Sequence, residues 1–233
     1  MAGNRVEELR RQALKQLQEF EVLMRNGHFD FGNGYHGMMY LNPHQLFRHP
    51  STIWRLAQDL LDILPADLLE RTEVVAGPVT GGALLAHTLA GLLDGRRALT
   101  HPPCSFAPFT HGRGSGLGAD LSTGARSAKV EARVDPTREG GFVLRSFYAQ
   151  EMTGKRVLLA DDVRNTGKTY QRCAELVHAA GGTVIGTVQI CDRMEAVVDL
   201  GVPNFALVEY EAGENFAAAE CPMCRAGQPI TTF

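Results

Sequence analysis

Two adjacent carboxylates, Asp161 and Asp162, follow the apolar run Val157-Leu158-Leu159-Ala160 and precede Val163-Arg164-Asn165-Thr166-Gly167-Lys168-Thr169. Such a run reads as a buried strand, and open parallel sheets bind ligands just beyond the C-terminal ends of their strands. Ionised carboxylates only accept hydrogen bonds, so a pair of them suits vicinal hydroxyls or a hydrated divalent cation. Thr166, Gly167 and Thr169 then fall at a helix start, where free backbone N–H groups and the helix dipole favour an anion. One phosphate and one sugar diol fit side by side on this segment. A plain strand–turn–helix would need one capping acid and none of the Thr-Gly-Lys-Thr that follows. The spacing of a Walker A loop is absent.

Two further segments carry chemistry. Ala76-Gly77-Pro78-Val79-Thr80-Gly81-Gly82-Ala83 also lies between an apolar strand and a helix. Its glycines let backbone N–H groups approach an anion, although Gly-Gly often merely turns a chain. Cys191-Asp192-Arg193-Met194-Glu195 places an arginine after another strand. Its planar fork matches a carboxylate ligand, or else makes a surface salt bridge with Asp192 or Glu195. Cys221-x-x-Cys224 has metal spacing, but zinc needs four ligands and no second pair follows at ligand spacing, so a structural tail is expected. His28, His36, His44, His49, His87, His101 and His178 form no HExxH pattern and read as ordinary surface or hood residues, with His28 the one of interest.

The elements that must position these residues follow from periodicity. Val6, Leu9, Ala13, Leu17, Phe20 and Met24 predict an amphipathic helix ending near Asn26-Gly27. Residues 27–50 read as irregular structure or short strands. Ser51 is the expected cap of a helix bearing Ile53, Leu56, Leu60 and Leu64, stopped by Pro65. From residue 73, strands alternate with helices: 74–76, then 84–93; 157–160, then 168–180; 183–190; and 205–208. That alternation predicts a three-layer α/β domain, a mainly parallel sheet with helices on both faces. Residues 110–141 hold seven glycines and no period, which marks a functional or mobile loop.

With 233 residues, 44% of them hydrophobic and 21% charged, the chain is long and apolar enough for one globular core. A formal charge of -3 argues against broad binding to nucleic acid or an anionic membrane. Five cysteines, an odd number, and a polar N-terminus fit reduced thiols in a cytoplasm. No apolar run reaches the roughly 18–20 residues of a membrane span.

The thirteen residues 157–169 resemble the signature of the type I phosphoribosyltransferase family. The resemblance implies phosphoribosyl pyrophosphate and a nitrogen base as substrates, with Mg²⁺ as cofactor. By it, Asp161 and Asp162 hold the ribose hydroxyls and possess the catalytic role together with Arg145. Residues 163–169 wrap the 5′-phosphate, and Gly77, Thr80, Gly81 and Gly82 form the pyrophosphate loop. The two acids are also the protein groups nearest to a substrate-borne Mg²⁺.

Further stretches are similar to orotate phosphoribosyltransferases: Gly27-His28-Phe29, Gly34-Tyr35-His36 and Tyr40, then Gly201-Val202-Pro203 and residues 221–230. This implies a hood built from residues 1–70 and 211–233 over a core of 71–210. It also implies Arg193, Phe29 and Thr166 at the base, with the arginine on the orotate carboxylate. His111, Arg113 and Lys129 become candidates for a closing loop, and related enzymes are homodimers. Three departures leave the base open. Gly32-Asn33-Gly34 replaces Ser-Ser-Gly, Asn165-Thr166-Gly167 replaces Thr-Thr-Gly, and Arg145-Ser146 replaces an Arg-Lys pair on an expected strand 141–147. Asn165 stands where 6-oxopurine enzymes carry a basic aspartate, and an amide cannot do that work. Another base, or a sensor that binds phosphoribosyl pyrophosphate without turning it over, are the alternatives.

Overall fold

The structure is a computed structural model that describes residues 2–31, 34–97, 101–111, 141–195, 198–211 and 213–232. The first elements are α1 (Ala2–Glu19), β1 (Leu23–Met24), β2 (Phe29–Asp30), β3 (Tyr35–Gly37), β4 (Tyr40–Leu41), α2 (His44–Phe47), α3 (Pro50–Ile63) and α4 (Ala66–Arg71). The alternating region holds β5 (Val74–Pro78), α5 (Gly81–Arg96), β6 (Ser105–His111), β7 (Phe142–Val143), α6 (Ser146–Met152), β8 (Arg156–Arg164), α7 (Lys168–Ala179), β9 (Thr183–Asp192) and β10 (Asn204–Glu209). The chain closes with β11 (Asn215–Ala217), a 3₁₀ turn over Ala218–Glu220 and α8 (Pro222–Arg225).

Six strands form the central sheet in the order β10-β9-β8-β5-β6-β7. All neighbours are parallel except β6 and β7. Alternate residues of β8 serve opposite faces, as the pleat requires. Leu158 and Ala160 pack with Leu56, Leu60, Leu85 and Leu89 of α3 and α5. Val157 and Leu159 pack with Met152 of α6 and with Cys173 and Val177 of α7. The result is the expected sandwich of helices, parallel sheet and helices.

A second, three-stranded sheet has the order β11-β3-β2 and joins the two ends of the chain. Asn215 pairs with Gly37 and Phe216 with His36, while Phe29 bridges to Thr231. The hood is therefore one unit made from segments nearly two hundred residues apart.

Several boundaries differ from expectation. The first helix stops at Glu19, because Glu21 takes a left-handed φ of 54° and turns the chain. Met24 then lies in β1, opposite Tyr40, rather than on the helix face. The cap of α3 is His49, with Pro50 in the first turn, so Ser51 is inside the helix. Proline there supplies a fixed φ and lacks an N–H that would have no partner. The strand expected over 141–147 is only Phe142–Val143, and Arg145 caps the helix α6 instead. The strand β6, with Pro103 just before it and Pro108 inside it, carries no clear alternation and escapes a periodicity search. Of the glycine-rich stretch, residues 112–140, and with them Arg113 and Lys129, lie outside the described residues. Among the described residues no helix is long and apolar enough to cross a membrane.

The sheet core sets the stability of everything it carries. Leu158 is fully buried between β5 and β9. Leu158→Ala should cost about 2–5 kcal/mol by lost burial and a residual cavity. In urea the midpoint should fall while the slope stays the same.

Candidate active site

The site begins where two strands part. β5 and β8 pair only from Val74 to Ala76 against Val157 to Leu159. Beyond that point β5 continues beside β6, and β8 beside β9. The chain runs outward from this pair in both directions, so the crevice at their C-terminal ends is a topological switch point. The turn after β5 folds into it. A side chain on Gly77 would collide with Gly82 and lie 2.6 Å from the Ala160 carbonyl oxygen. A side chain on Gly82 would lie 2.8 Å from both that oxygen and Asp161 Oδ1. Gly81 similarly faces the Asp162 carboxylate. The glycine turn and the acidic pair, read separately from the sequence, thus meet in one crevice. The glycine pair opens α5 itself, rather than forming a turn ahead of it, with Thr80 as the cap. The Val79–Thr80 peptide is cis.

The two acids lie within β8, which continues through Val163 to Arg164, rather than beyond its end. Asp161 is buried, and its Oδ1 accepts the Asp162 N–H at 3.0 Å. Asp162 Oδ1 accepts the Val163 N–H at 2.8 Å. Burial, reinforced by the neighbouring Asp162 charge, raises the Asp161 pKa well above the usual carboxylate range. Tyr170, whose hydroxyl donates to the Val188 carbonyl at 2.8 Å, closes the floor beneath it.

Two cavities flank this strand end. The smaller, about 100 Å³, is lined by Asp161 and by Val163 through Tyr170. It sits at the start of α7, whose cap Gly167 has φ 81° and no side-chain cap bond. The first backbone N–H groups of a helix have no intrahelical acceptor, which makes this a ready anion site. The larger cavity, about 480 Å³, is lined by hood residues Phe31, Tyr35, Met39 and Tyr40, and by Asn165, Arg193, Tyr210 and Asn215 among others. Val163 and Asn165 line both cavities. A small polar pocket and a wider aromatic pocket therefore share a wall beside the acidic pair.

Arg193 borders the larger cavity and donates to Asn165 Oδ1 at 3.3 Å and to Glu195 at 2.9 Å. Its Nε is buried without a hydrogen-bond partner among the described residues. Of the two salt bridges open to it in the sequence, Glu195 is the one formed. Asp192 instead accepts from Arg164, Gln189 and Asn204 on Oδ2 at 3.0–3.1 Å, and from the Met194 N–H on Oδ1. Arg164 also donates to the Val198 carbonyl, so its guanidinium buttresses the loop after β9 while the residue still lines the smaller cavity.

Three expected site residues are not brought to these cavities. Phe29 is buried within the hood, its ring 6.0 Å from that of Tyr40, and Phe31 lines the cavity instead. Arg145 is exposed at the start of α6 and lines neither cavity. His111 ends β6 with its ring stacked on Phe142. Thr166 lines the smaller cavity and not the larger. Sequence reasoning missed Tyr210, Asn215, Gln189 and Asn204, which lie far along the chain with no local motif. Burial pushes the Cys104 thiol up to about 11 and the Cys191 thiol up to about 12, so neither is an activated nucleophile. The second pair of ligand-type residues that the Cys221-x-x-Cys224 pattern lacked in sequence is present in space. His28 and His36 stand beside the two thiols.

Comparison with known proteins agrees with this geometry. The profile described as "Phosphoribosyl transferase domain" matches residues 49–201. The chain belongs to the phosphoribosyltransferase family. It is 30% identical to an orotate phosphoribosyltransferase of Erythrobacter litoralis over 94% of each chain. It is 29% identical to that of Caldanaerobacter subterraneus subsp. tengcongensis, over 93% of this chain and 94% of the other. A crystal structure of orotate phosphoribosyltransferase from Aeropyrum pernix has the same fold, with a TM-score of 0.57 and 22% identity over 84% of this chain and 92% of that one.

The raised Asp161 pKa has a testable sign. The folded protein holds this proton more tightly than the unfolded chain. The group therefore favours folding below the ordinary carboxylate value and costs stability as pH rises through its raised folded value. Asp161→Asn removes that buried charge. It should raise the Tm of the ligand-free protein at neutral pH by an amount on the order of a few degrees. The gain should shrink as the pH is lowered, and a variant less stable at every pH would contradict the assignment.

Proposed function

We propose that the chain transfers the 5-phosphoribosyl group of phosphoribosyl pyrophosphate to N1 of orotate, releasing pyrophosphate. The observation that carries this reading is the convergence, at one strand end, of an acidic pair, two helix N-termini and an aromatic cavity with Arg193 in its wall. In this reading the smaller cavity takes the 5′-phosphate on the first amides of α7 with the hydroxyls of Thr166 and Thr169. Asp161 and Asp162 accept the ribose hydroxyls, and the start of α5 after Thr80 receives pyrophosphate through Gly81 and Gly82. The ribose C1 then lies at the shared wall, with the base in the larger cavity among Phe31, Tyr35 and Tyr40.

Displacement at C1 needs an aligned nucleophile and a stabilised leaving group more than it needs a covalent intermediate. Orientation by the acidic pair supplies the first, and fixed helix N–H dipoles the second. Two carboxylates are hard oxygen donors that fit Mg²⁺, directly or through water, but are too few for a protein cage. A Mg²⁺ bound with the substrate phosphates would neutralise charge on the departing pyrophosphate. Arg193 suits a base that bears a carboxylate: its buried Nε is a donor still to be satisfied, and Asn165 and Glu195 hold the fork in place. Asn165, the departure from the orotate pattern, thus has a positioning use and not a proton-transfer one.

The reading is tested at two depths. Asp161→Asn with Asp162→Asn should abolish turnover with every base while the circular dichroism spectrum stays native; near-normal activity in that variant would remove the transferase reading.

Arg193→Ala tests the base alone. A desolvated charge-assisted pair is worth about 2–4 kcal/mol, so kcat/KM for orotate should fall roughly a hundredfold, at 1.4 kcal/mol per tenfold. Phosphoribosyl pyrophosphate affinity should be little changed, and uracil should be a poor substrate of both proteins. A parent enzyme that prefers a base without a carboxylate would refute orotate and leave the family chemistry standing.

A further inference from the structure

Within the hood, on residues that line neither of the two cavities described above, four metal-ligand atoms converge. His28 Nε2, His36 Nδ1, Cys221 Sγ and Cys224 Sγ all lie within 4.8 Å of one another. His28 lies at the start of the hood, His36 on β3, and the two cysteines at the beginning of α8 and within it. His28, His36 and Cys221 are buried, and Cys224 is exposed. We infer that these residues form a structural zinc site that fastens the C-terminal tail to the N-terminal hood.

The distances fit a tetrahedron. Zinc binds imidazole nitrogen at about 2.0–2.1 Å and thiolate sulfur at about 2.3 Å. Tetrahedral angles then separate two nitrogens by about 3.3 Å and a nitrogen from a sulfur by about 3.6 Å. The two imidazole nitrogens are 3.2 Å apart. The nitrogen–sulfur separations are 3.5 and 3.6 Å from His28 and 3.3 Å from His36 to Cys224.

The outer shell agrees. His28 Nδ1 is 3.0 Å from the Gln228 carbonyl oxygen, which can only accept, so Nδ1 carries the proton and Nε2 presents a bare lone pair. That single lone pair faces His36 and both thiols. Weak S–H donors could satisfy the two imidazole lone pairs only one by one, whereas a single cation satisfies all four groups at once. His36 turns its other nitrogen, Nε2, toward Asp30 Oδ1 at 4.0 Å. A ligating histidine backed by a carbonyl or a carboxylate is the usual second shell of zinc. Two thiolates with two imidazoles select zinc over hard cations, and the exposed Cys224 gives the ion a way in.

The test reads metal and not turnover, so its result is independent of the orotate assignment. Protein purified from a reducing cytosol without added metal or chelator should hold about one zinc ion per chain by native mass spectrometry and elemental analysis. Replacement by Co²⁺ should give thiolate charge-transfer and tetrahedral ligand-field absorption. Cys224→Ser, at the exposed corner, should lower zinc affinity at least tenfold, and Asp30→Asn, which removes no ligand, about 10–100-fold. Stripping the ion with a strong chelator and reductant should lower Tm by roughly 5–10 °C, and Zn²⁺ alone should restore it. A freshly purified chain that holds no transition metal and fails to take Zn²⁺ from a chromogenic chelator would overturn the site. So would a Cys221–Cys224 disulfide in that preparation.

Discussion

The parting of β5 from β8 beyond Ala76 and Leu159 is the constraint on which the rest of the structure depends. Two parallel strands that separate leave backbone and buried carboxylates without a covering side chain, and the gap has to be closed by something thinner than a side chain. Here it is closed by backbone: Gly77 and Gly82 touch each other and the Ala160 carbonyl at distances where any Cβ would collide. That contact fixes where α5 begins. It presses Gly81 against Asp162 and so brings two N–H-rich helix starts to the same strand end. The paired glycines are a packing requirement first, and the pyrophosphate contact proposed for them would follow from the same close approach.

Two buried acids in this region show how structure and chemistry are separated. Asp192 accepts from Arg164, Gln189, Asn204 and the Met194 amide, which uses its lone pairs and holds its charge in place. It is a strut: it ties β9 to the Arg164 end of β8 and, through Asn204, to β10. Asp161 is equally buried but receives only the Asp162 amide among the described hydrogen bonds. An acceptor kept out of water with capacity unused is costly to the empty protein. The satisfied acid is architecture, and the unsatisfied one is where the proposed reading puts the ligand hydroxyls that would offset such a cost.

What the sequence made legible follows the range of the signal. The strand 157–160, its acids and the helix after Gly167 are consecutive, so one segment carried the strand, the acidic pair and the lining of the smaller cavity. The three-layer core was equally readable, because Val157 to Ala160 and Leu85 to Leu93 announce their burial locally. What failed was set by partners distant in the chain. Whether Phe29 or Phe31 faces the cavity depends on how β2 and β3 meet β11, and Tyr40 sits between both rings. The strand expected over 141–147 was too long, because the chain leaves it after Val143 and starts a helix at Ser146 with Arg145 as its cap. The four-residue cluster of the hood was missed for the same reason. Metal spacing is a pattern along the chain, while His28, His36 and the tail cysteines assemble only across strands.

The hood also has to solve a stability problem of its own. Its sheet consists of two residues of β2, three of β3 and three of β11, followed in the tail by the four-residue α8. Strands so short bury too little apolar surface to persist alone. Yet Phe31, Tyr35 and Asn215, which belong to this sheet or adjoin it, form the wall of the larger cavity. A wall that must stay in register to shape a pocket, built from short strands nearly two hundred residues apart in the chain, gains from a cross-link. Backbone supplies part of it: the Asp30 N–H donates to the Thr231 carbonyl and the Thr231 N–H to the His28 carbonyl. The side chains of His28, His36, Cys221 and Cys224 sit at the same junction. None of the four lines either cavity, while His36 lies on β3 directly after Tyr35 of the cavity wall, so a metal held there would fasten that wall without entering the pocket.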